Sequence, residues 1–147
     1  MRIINSFFLA IISTLLCSCN SSVPYSSEIQ YSYDNVSNLR INYSQLFGID
    51  RKEYYAYFYS VQCYHCNKLK NSIISFALKN PYFLYFVEYD KSIPLSDNVE
   101  KTIGISSLEG FAILGVPTLT KIEDKILILN IAGFTEVAKI IEPNLFS

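Results

Sequence analysis

The distribution of apolar residues predicts two buried strands with a helix between them. Residues 54–60 are apolar and largely aromatic without polar alternation, which is typical of a strand covered on both faces of a sheet. Between 67 and 79, apolar residues recur at helical spacing and polar residues fall on other faces, which predicts an amphipathic helix. Pro81 should end that helix. Residues 83–89 predict a second strand, which we also expect to be central.

The second half of the chain predicts helical turns, a hairpin and a last helix. Turns of helix are expected around 98–103 and 108–113. Two apolar runs, 118–122 and 126–131, flank a short charged segment and predict a β-hairpin. Residues 135–141 predict the last helix. Alternating strands and helices followed by a hairpin predict a mixed sheet flanked by helices.

The N-terminal part of the chain predicts an export signal followed by a tether. A positive residue, Arg2, precedes the apolar run 7–16, and small residues follow, which is the pattern of a secretory signal. A short membrane anchor and a buried helix are the alternatives. Residues 20–38 are rich in Ser, Asn and Tyr and predict a flexible tether, although an irregular extension packed on the domain would also explain the tyrosines. The segment 39–47 is compatible with a short helix or a strand.

Composition narrows the class of protein. The chain has 147 residues, which is the length of one domain, and 50% of them are apolar, enough to bury a core. The formal net charge is −1, from 12 basic and 13 acidic residues. A nucleic-acid partner would require a basic face, so nucleic acid is not expected as a partner.

The cysteines supply the candidate chemistry. There are 4 of them, and Cys17 and Cys19 fall in the N-terminal targeting segment. The other two, Cys63 and Cys66, form a C-x-x-C pair between a predicted strand and a predicted helix, the layout of a thiol–disulfide active centre. Backbone N–H groups at the helix start stabilise a thiolate, so Cys63 should be the nucleophile. Cys66, one turn further, should be the resolving cysteine and close the Cys63–Cys66 disulfide.

The C-x-x-C pair has two alternative interpretations. A structural zinc site needs four ligands, and Cys63, His65 and Cys66 are too close in sequence to surround one ion, so we expect no metal. No cofactor is expected either. A purely structural disulfide is the second alternative, but such a small loop constrains little of the unfolded chain.

The chain resembles the thioredoxin family over about three quarters of its length. The matched features are Cys63-Tyr64-His65-Cys66, Gly115-Val116-Pro117-Thr118, the hairpin, Gly133 and the last helix. The resemblance implies an α/β fold for residues 39–147, a three-layer α/β/α sandwich with a mixed central sheet. It also implies that the Val116–Pro117 bond is cis and faces the cysteines, so that Val116 and Pro117 bind substrate. A plain turn proline is the alternative for Pro117.

The sequence departs from the family pattern beside the first cysteine. Val61 and Gln62 stand there without a tryptophan, and Tyr57 occupies the place of a buried acid found in many thioredoxins. His65 resembles the histidine of disulfide isomerases and periplasmic disulfide oxidases, which implies that it tunes the thiolate and makes the disulfide more oxidising. An exposed histidine without a task is the alternative. Tyr64 would stack on substrate or simply fill space.

The residues around Cys19 resemble the lipobox of bacterial lipoproteins. Leu16 lies three residues before Cys19 and Ser18 directly before it. The resemblance implies cleavage of a signal peptide, 1–18, and attachment of acyl chains to Cys19 at the start of the tether, 19–38. Ordinary secretion without lipid is the alternative.

Two functional hypotheses follow. The first is an extracytoplasmic thiol–disulfide oxidoreductase, tethered to a bacterial envelope membrane through Cys19. It would act on cysteines of exported proteins as an oxidase, an isomerase or a reductase. A membrane redox partner would recycle it. The second is a redox-inert lipoprotein of thioredoxin shape, serving as a binding or export accessory module.

Overall fold

The computed structural model describes residues 29–80 and 83–143. Its helices and strands, in chain order, are β1 (Glu53–Tyr59), α1 (Tyr64–Lys79), β2 (Leu84–Glu88), β3 (Thr118–Glu123), β4 (Ile126–Ala132) and α2 (Phe134–Ile141). Short 3-10 helices lie at Tyr33–Leu39, Tyr43–Gln45 and Val99–Thr102. The predicted signal peptide, the lipobox with Cys19, the first part of the tether and Pro81 lie outside the described residues.

In the described part of the chain, the strands form a mixed four-stranded sheet in the order β2-β1-β3-β4. Strand β1 pairs in parallel with β2 and antiparallel with β3, and β3 and β4 form an antiparallel hairpin. Asp124 and Lys125 at the hairpin turn both have positive φ, of 49° and 67°, which suits the twist of a two-residue turn. The mixed sheet with its helices confirms the predicted thioredoxin-like α/β fold.

The sheet is covered on both faces, but by different kinds of structure. Helices α1 and α2 and the 3-10 helix Tyr33–Leu39 pack on the face that carries Tyr57 and Tyr59. The opposite face of β1, which carries Tyr54 and Phe58, is covered by side chains from turns and irregular segments. The burying residues there include Leu46, Ile93, Phe111 and Ile113. The three layers are therefore present, and the second outer layer consists of turns and loops.

Two details differ from the sequence-based predictions. Strand β2 lies at the end of the described sheet, where an isolated bridge between Arg40 and Phe86 extends the pairing and the backbone N–H of Ile41 donates to Phe86 at 2.9 Å. A continuous apolar run indicates that both faces of a strand are buried, but it does not indicate that the strand is central in the sheet. Around 108–113 there is a turn instead of a helix, because Gly110 has a φ of 78° and interrupts right-handed helical geometry.

The predicted tether boundary at residue 38 is also corrected. From Tyr31 onward the chain packs on the domain, and Tyr33, Val36 and Leu39 are buried in the core on the helix side of the sheet. The backbone N–H of Tyr31 donates to Asn71 of α1 at 2.9 Å. For this part of the segment, the packed extension describes the chain and the flexible tether does not, because Tyr33 and Val36 are buried despite the polar residues between them.

Within residues 29–80 and 83–143, no helix has both the length and the apolar character needed to cross a membrane. The same ranges contain no group of three or more His, Cys, Asp and Glu side chains arranged to hold a metal ion.

Candidate active site

Cys63 occupies the N-cap position of α1, directly after the turn that leaves β1. Its backbone is extended, with φ −78° and ψ 121°, and the helix begins at Tyr64. The Cys63 Sγ accepts a hydrogen bond from the backbone N–H of Cys66 at 3.2 Å. An N-cap acceptor satisfies an otherwise unpaired N–H, and the positive end of the helix dipole favours negative charge at this position. The Cys63 sulfur therefore lies at the N-terminus of α1, where the sequence predicts the nucleophile.

Cys66 lies one turn into α1 and is fully buried among core side chains. Burial, followed by the hydrogen bond with Cys63, raises the pKa of the Cys66 thiol from 9.0 to about 12. Both cysteines are free thiols in this structure, with Cys63 partly exposed. The two sulfurs therefore have different environments, one at the surface on a helix N-terminus and the other enclosed and held neutral.

The segment before β3 lies against the cysteine pair. The Val116–Pro117 peptide bond is cis. The Cys63 thiol donates a hydrogen bond to the backbone carbonyl of Val116 at 3.5 Å, and Pro117 is buried behind it. The fold thus brings Val116, which is 53 residues from Cys63 in sequence, to the Cys63–Cys66 pair. Their roles in binding and catalysis stay predictions.

Tyr64 and His65 form a surface cluster with two residues that the sequence did not single out, Lys68 and Phe134. The ring of His65 lies 5.4 Å from that of Tyr64 and 6.2 Å from that of Phe134, between ring centroids. The Lys68 ammonium lies 4.7 Å from the centre of the Tyr64 ring, within the range of a cation–π contact. We call these four residues the aromatic cluster. Its contacts direct His65 toward the start of α2.

A signal for Lys68 was present in the sequence, and none was present for Phe134. Lys68 is four residues after Tyr64, so both lie on one side of α1. Phe134 begins a helix at the far end of the chain, and only the packing of α2 beside α1 brings it to the site.

Two tyrosines lie behind Cys66. The Tyr33 hydroxyl donates to the backbone carbonyl of Cys66 at 3.5 Å. Tyr57 is fully buried on β1, and burial, followed by the neighbouring Tyr33 and Cys66, raises its pKa far above the ordinary value. In the sequence, Tyr57 stands out only as a departure from the thioredoxin pattern, and Tyr33 lies in the predicted tether. Neither had a local signal for a place beside the thiols.

Exposed apolar side chains flank Cys63. Val61 and Leu114 are each 53% exposed, and Tyr64 is 66% exposed. They belong to the turn before α1, to α1 itself and to the segment before the cis bond. Apolar surface beside a reactive group suits contact with another polypeptide.

Several solved structures that match this chain are thioredoxins. Mitochondrial thioredoxin 3 of Saccharomyces cerevisiae, in its oxidised form, is 21% identical, with a TM-score of 0.45 over 74% of this chain and 97% of that chain. Thioredoxin f2 of Chlamydomonas reinhardtii is 16% identical, with a TM-score of 0.45 over 71% and 96%. A thioredoxin variant of Halobacterium salinarum is 18% identical, with a TM-score of 0.44 over 78% and 95%. No family model and no curated protein sequence matches the chain. At these values the function must be inferred from the site itself.

Proposed function

We propose that this chain is a thiol–disulfide oxidoreductase that acts through Cys63 and Cys66. The observation that carries the proposal is the N-cap hydrogen bond, in which the Cys66 backbone N–H donates to the Cys63 sulfur at 3.2 Å. It places a partly exposed sulfur where a helix terminus favours its thiolate. The second sulfur is held neutral and buried one turn away, where it is protected from outside reagents and remains close to the first.

The chemistry is a pair of thiol–disulfide exchanges. The Cys63 thiolate attacks a substrate disulfide, so that a Cys63–substrate S–S bond forms, the substrate S–S bond breaks and one substrate sulfur leaves as a thiolate. Cys66 then loses its proton and attacks the Cys63 sulfur. The Cys63–Cys66 disulfide forms, and the second substrate sulfur leaves and takes up a proton. The same steps in reverse oxidise a substrate dithiol.

The surroundings of Cys63 suit a polypeptide substrate. Val116 lies next to the thiol through its backbone carbonyl, and we assign it to pairing with an extended substrate segment beside buried Pro117. Exposed Tyr64 would also contact the substrate. We assign His65 to tuning the Cys63 thiolate toward oxidation or isomerisation.

The location and the partners follow from the N-terminal sequence pattern. Acylation of Cys19 would hold the domain at a membrane of the bacterial envelope, outside the cytoplasm, since each buried CH₂ group contributes about 0.8 kcal/mol to membrane binding. The substrates would then be exported proteins with cysteines, and a membrane redox partner would regenerate the active form. The lipobox-like residues Leu16 and Ser18 support this part of the proposal.

Alkylation kinetics distinguish this function from that of a redox-inert binding module. Each cysteine of the reduced protein is followed by mass spectrometry during reaction with iodoacetamide at pH 7. An oxidoreductase requires that Cys63 react much faster than the thiol of an unstructured peptide and that Cys66 be protected. A Cys63 that reacts no faster than the peptide thiol would favour the inert module.

A further inference from the structure

The Tyr57 hydroxyl is a buried polar group with no hydrogen-bond partner of ordinary geometry in the described part of the chain. Tyr57 lies on β1, the strand that leads to the C-x-x-C turn, and its side chain is fully buried on the helix side of the sheet. Burying an unpartnered hydroxyl costs free energy, and such a group calls for an explanation. A phenylalanine ring would fill the same space without that cost.

The side chains that affect the pKa of the Tyr57 hydroxyl are the Tyr33 phenol and the thiols of Cys66 and Cys63. Burial is the largest cause that raises the pKa of Tyr57, so the phenol keeps its proton throughout the physiological range. A neutral phenol can donate a hydrogen bond, but it cannot accept the Cys66 proton as a base. Of the groups around it, Cys66 is the buried one that must become negative in the proposed chemistry.

The titratable groups around Cys66 come from each element packed against it. Cys63, at the helix start, opposes the Cys66 thiolate, whereas the backbone of Ser60, directly after β1, favours it, and the Tyr57 hydroxyl on β1 favours it to a smaller extent. Tyr33 acts from the 3-10 helix, donating its hydroxyl to the Cys66 backbone carbonyl at 3.5 Å and not to the sulfur. Of these two tyrosines, Tyr57 is therefore the one placed to offset the unfavourable effect of burial on the Cys66 thiolate.

We propose that the Tyr57 hydroxyl donates a hydrogen bond to the Cys66 sulfur as this thiol loses its proton and attacks the mixed disulfide on Cys63. The inference rests on the proposed function and deepens it. The Cys66–Cys63 S–S bond forms, and the Cys63–substrate S–S bond breaks. The substrate sulfur leaves with the electron pair and gains a proton, so that the proton lost by Cys66 is balanced. Tyr57 keeps its own proton throughout.

Tyr59 provides a matched control on the same strand. Its ring is parallel to that of Tyr57, with an interplanar angle of 1° and 6.2 Å between centroids, and its hydroxyl is also buried without a hydrogen-bond partner among residues 29–80 and 83–143. The charged groups that act on it are Arg40, Glu88 and Asp34 instead of the cysteines. Tyr59→Phe therefore removes an equivalent hydroxyl at a position where it does not act on the thiol pair.

The test follows the two exchange steps separately. The full chain carries Cys17→Ser and Cys19→Ser, so that only the Cys63–Cys66 pair can react. The reduced protein is mixed with 5,5′-dithiobis(2-nitrobenzoate) in a stopped-flow instrument between pH 6 and 10. The first release of thionitrobenzoate reports attack by Cys63, and the second reports resolution by Cys66. Tyr57→Phe and Tyr59→Phe are compared with the unsubstituted pair, and thermal unfolding is measured for each.

In Tyr57→Phe, the second phase should slow by about tenfold near neutral pH, the effect of losing one hydrogen bond to a charged sulfur, and its pH profile should move upward. The rate of the first phase and the midpoint temperature of thermal unfolding should not fall. In Tyr59→Phe, the rate of the second phase should equal that of the protein that retains both tyrosines. An unchanged second phase and pH profile in Tyr57→Phe would overturn the inference, as would equal slowing in Tyr59→Phe.

Failure of the underlying function gives a different result. If the unsubstituted pair shows no first phase, no mixed disulfide forms on Cys63, and the oxidoreductase proposal fails together with this inference. If Tyr57→Phe does not unfold cooperatively, Tyr57→Met replaces it, because methionine also lacks the donor and fills irregular space. The same slowing of the second phase is then required, and its absence overturns the inference.

Discussion

Alkaline pH should destabilise the reduced protein through Cys66. Burial and the Cys63 side chain raise the pKa of this thiol from 9.0 to about 12. Below the lower value the thiol is protonated in both folded and unfolded chains, so its contribution to stability is fully present. As the pH rises above it, Cys66 ionises in the unfolded chain first, and stability is lost until the pH passes the folded value.

The size of the effect follows from the two pKa values. One pKa unit corresponds to about 1.4 kcal/mol, so the rise from 9.0 to about 12 corresponds to about 4 kcal/mol at most. The free energy of unfolding should fall by about 1 kcal/mol at pH 10 and about 3 kcal/mol at pH 11, relative to neutral pH, through this group alone.

Urea unfolding in the presence of a phosphine reductant measures the effect. The buried Tyr33 and Tyr57 also have raised pKa values, so the pH dependence of one protein does not isolate the thiol. The matched control is therefore Cys66→Ala, compared in a full chain with Cys17→Ser and Cys19→Ser. The difference between the two unfolding free energies should change with pH by the amounts above. If the two plots of unfolding free energy against pH run parallel up to pH 11, the conclusion that Cys66 is buried and neutral is wrong.

Three further predictions concern tuning, anchoring and the extension. His65→Ala should make the pair a weaker oxidant, which glutathione equilibration measures. A tenfold change in the equilibrium constant corresponds to about 30 mV, and a less negative or unchanged potential would make His65 a bystander. Mass spectrometry of the membrane fraction should find lipid-modified Cys19 at the mature N-terminus, and an unmodified secreted chain would contradict that. Leu39→Ala should cost about 2–5 kcal/mol in urea unfolding because Leu39 is buried. Ile29→Ala, at a side chain 68% exposed, should cost within about 0.5 kcal/mol, and equal effects would contradict the packing of the extension.

Local patterns predicted the parts of the fold that depend on neighbouring residues. Strand β1 is apolar on both faces because each face meets a different layer, and its sequence shows this directly. The hairpin shows two apolar runs around a charged turn. Cys63 could be placed at a helix N-terminus because the helical spacing of α1 starts directly after the C-x-x-C pair.

Other features depend on segments that meet only in the folded chain. The thioredoxin resemblance placed Val116 opposite the cysteines, which periodicity alone could not do. Phe134 reaches the aromatic cluster through packing of α2 beside α1, and Tyr33 reaches Cys66 through an extension whose polar composition concealed its buried residues. The position of β2 at the end of the described sheet also depends on pairing and not on its own sequence.

Trapping of mixed disulfides tests the central claim, that Cys63 attacks and Cys66 resolves. Full-length Cys66→Ser and Cys63→Ser chains are expressed in bacterial cells. The cells are quenched with acid, free thiols are alkylated, and the proteins are separated by electrophoresis without reductant. Cys66→Ser should accumulate covalent adducts with exported proteins that dithiothreitol releases, and Cys63→Ser should not. Adducts with Cys63→Ser alone would reverse the two roles, and the absence of adducts with either variant would contradict the oxidoreductase function.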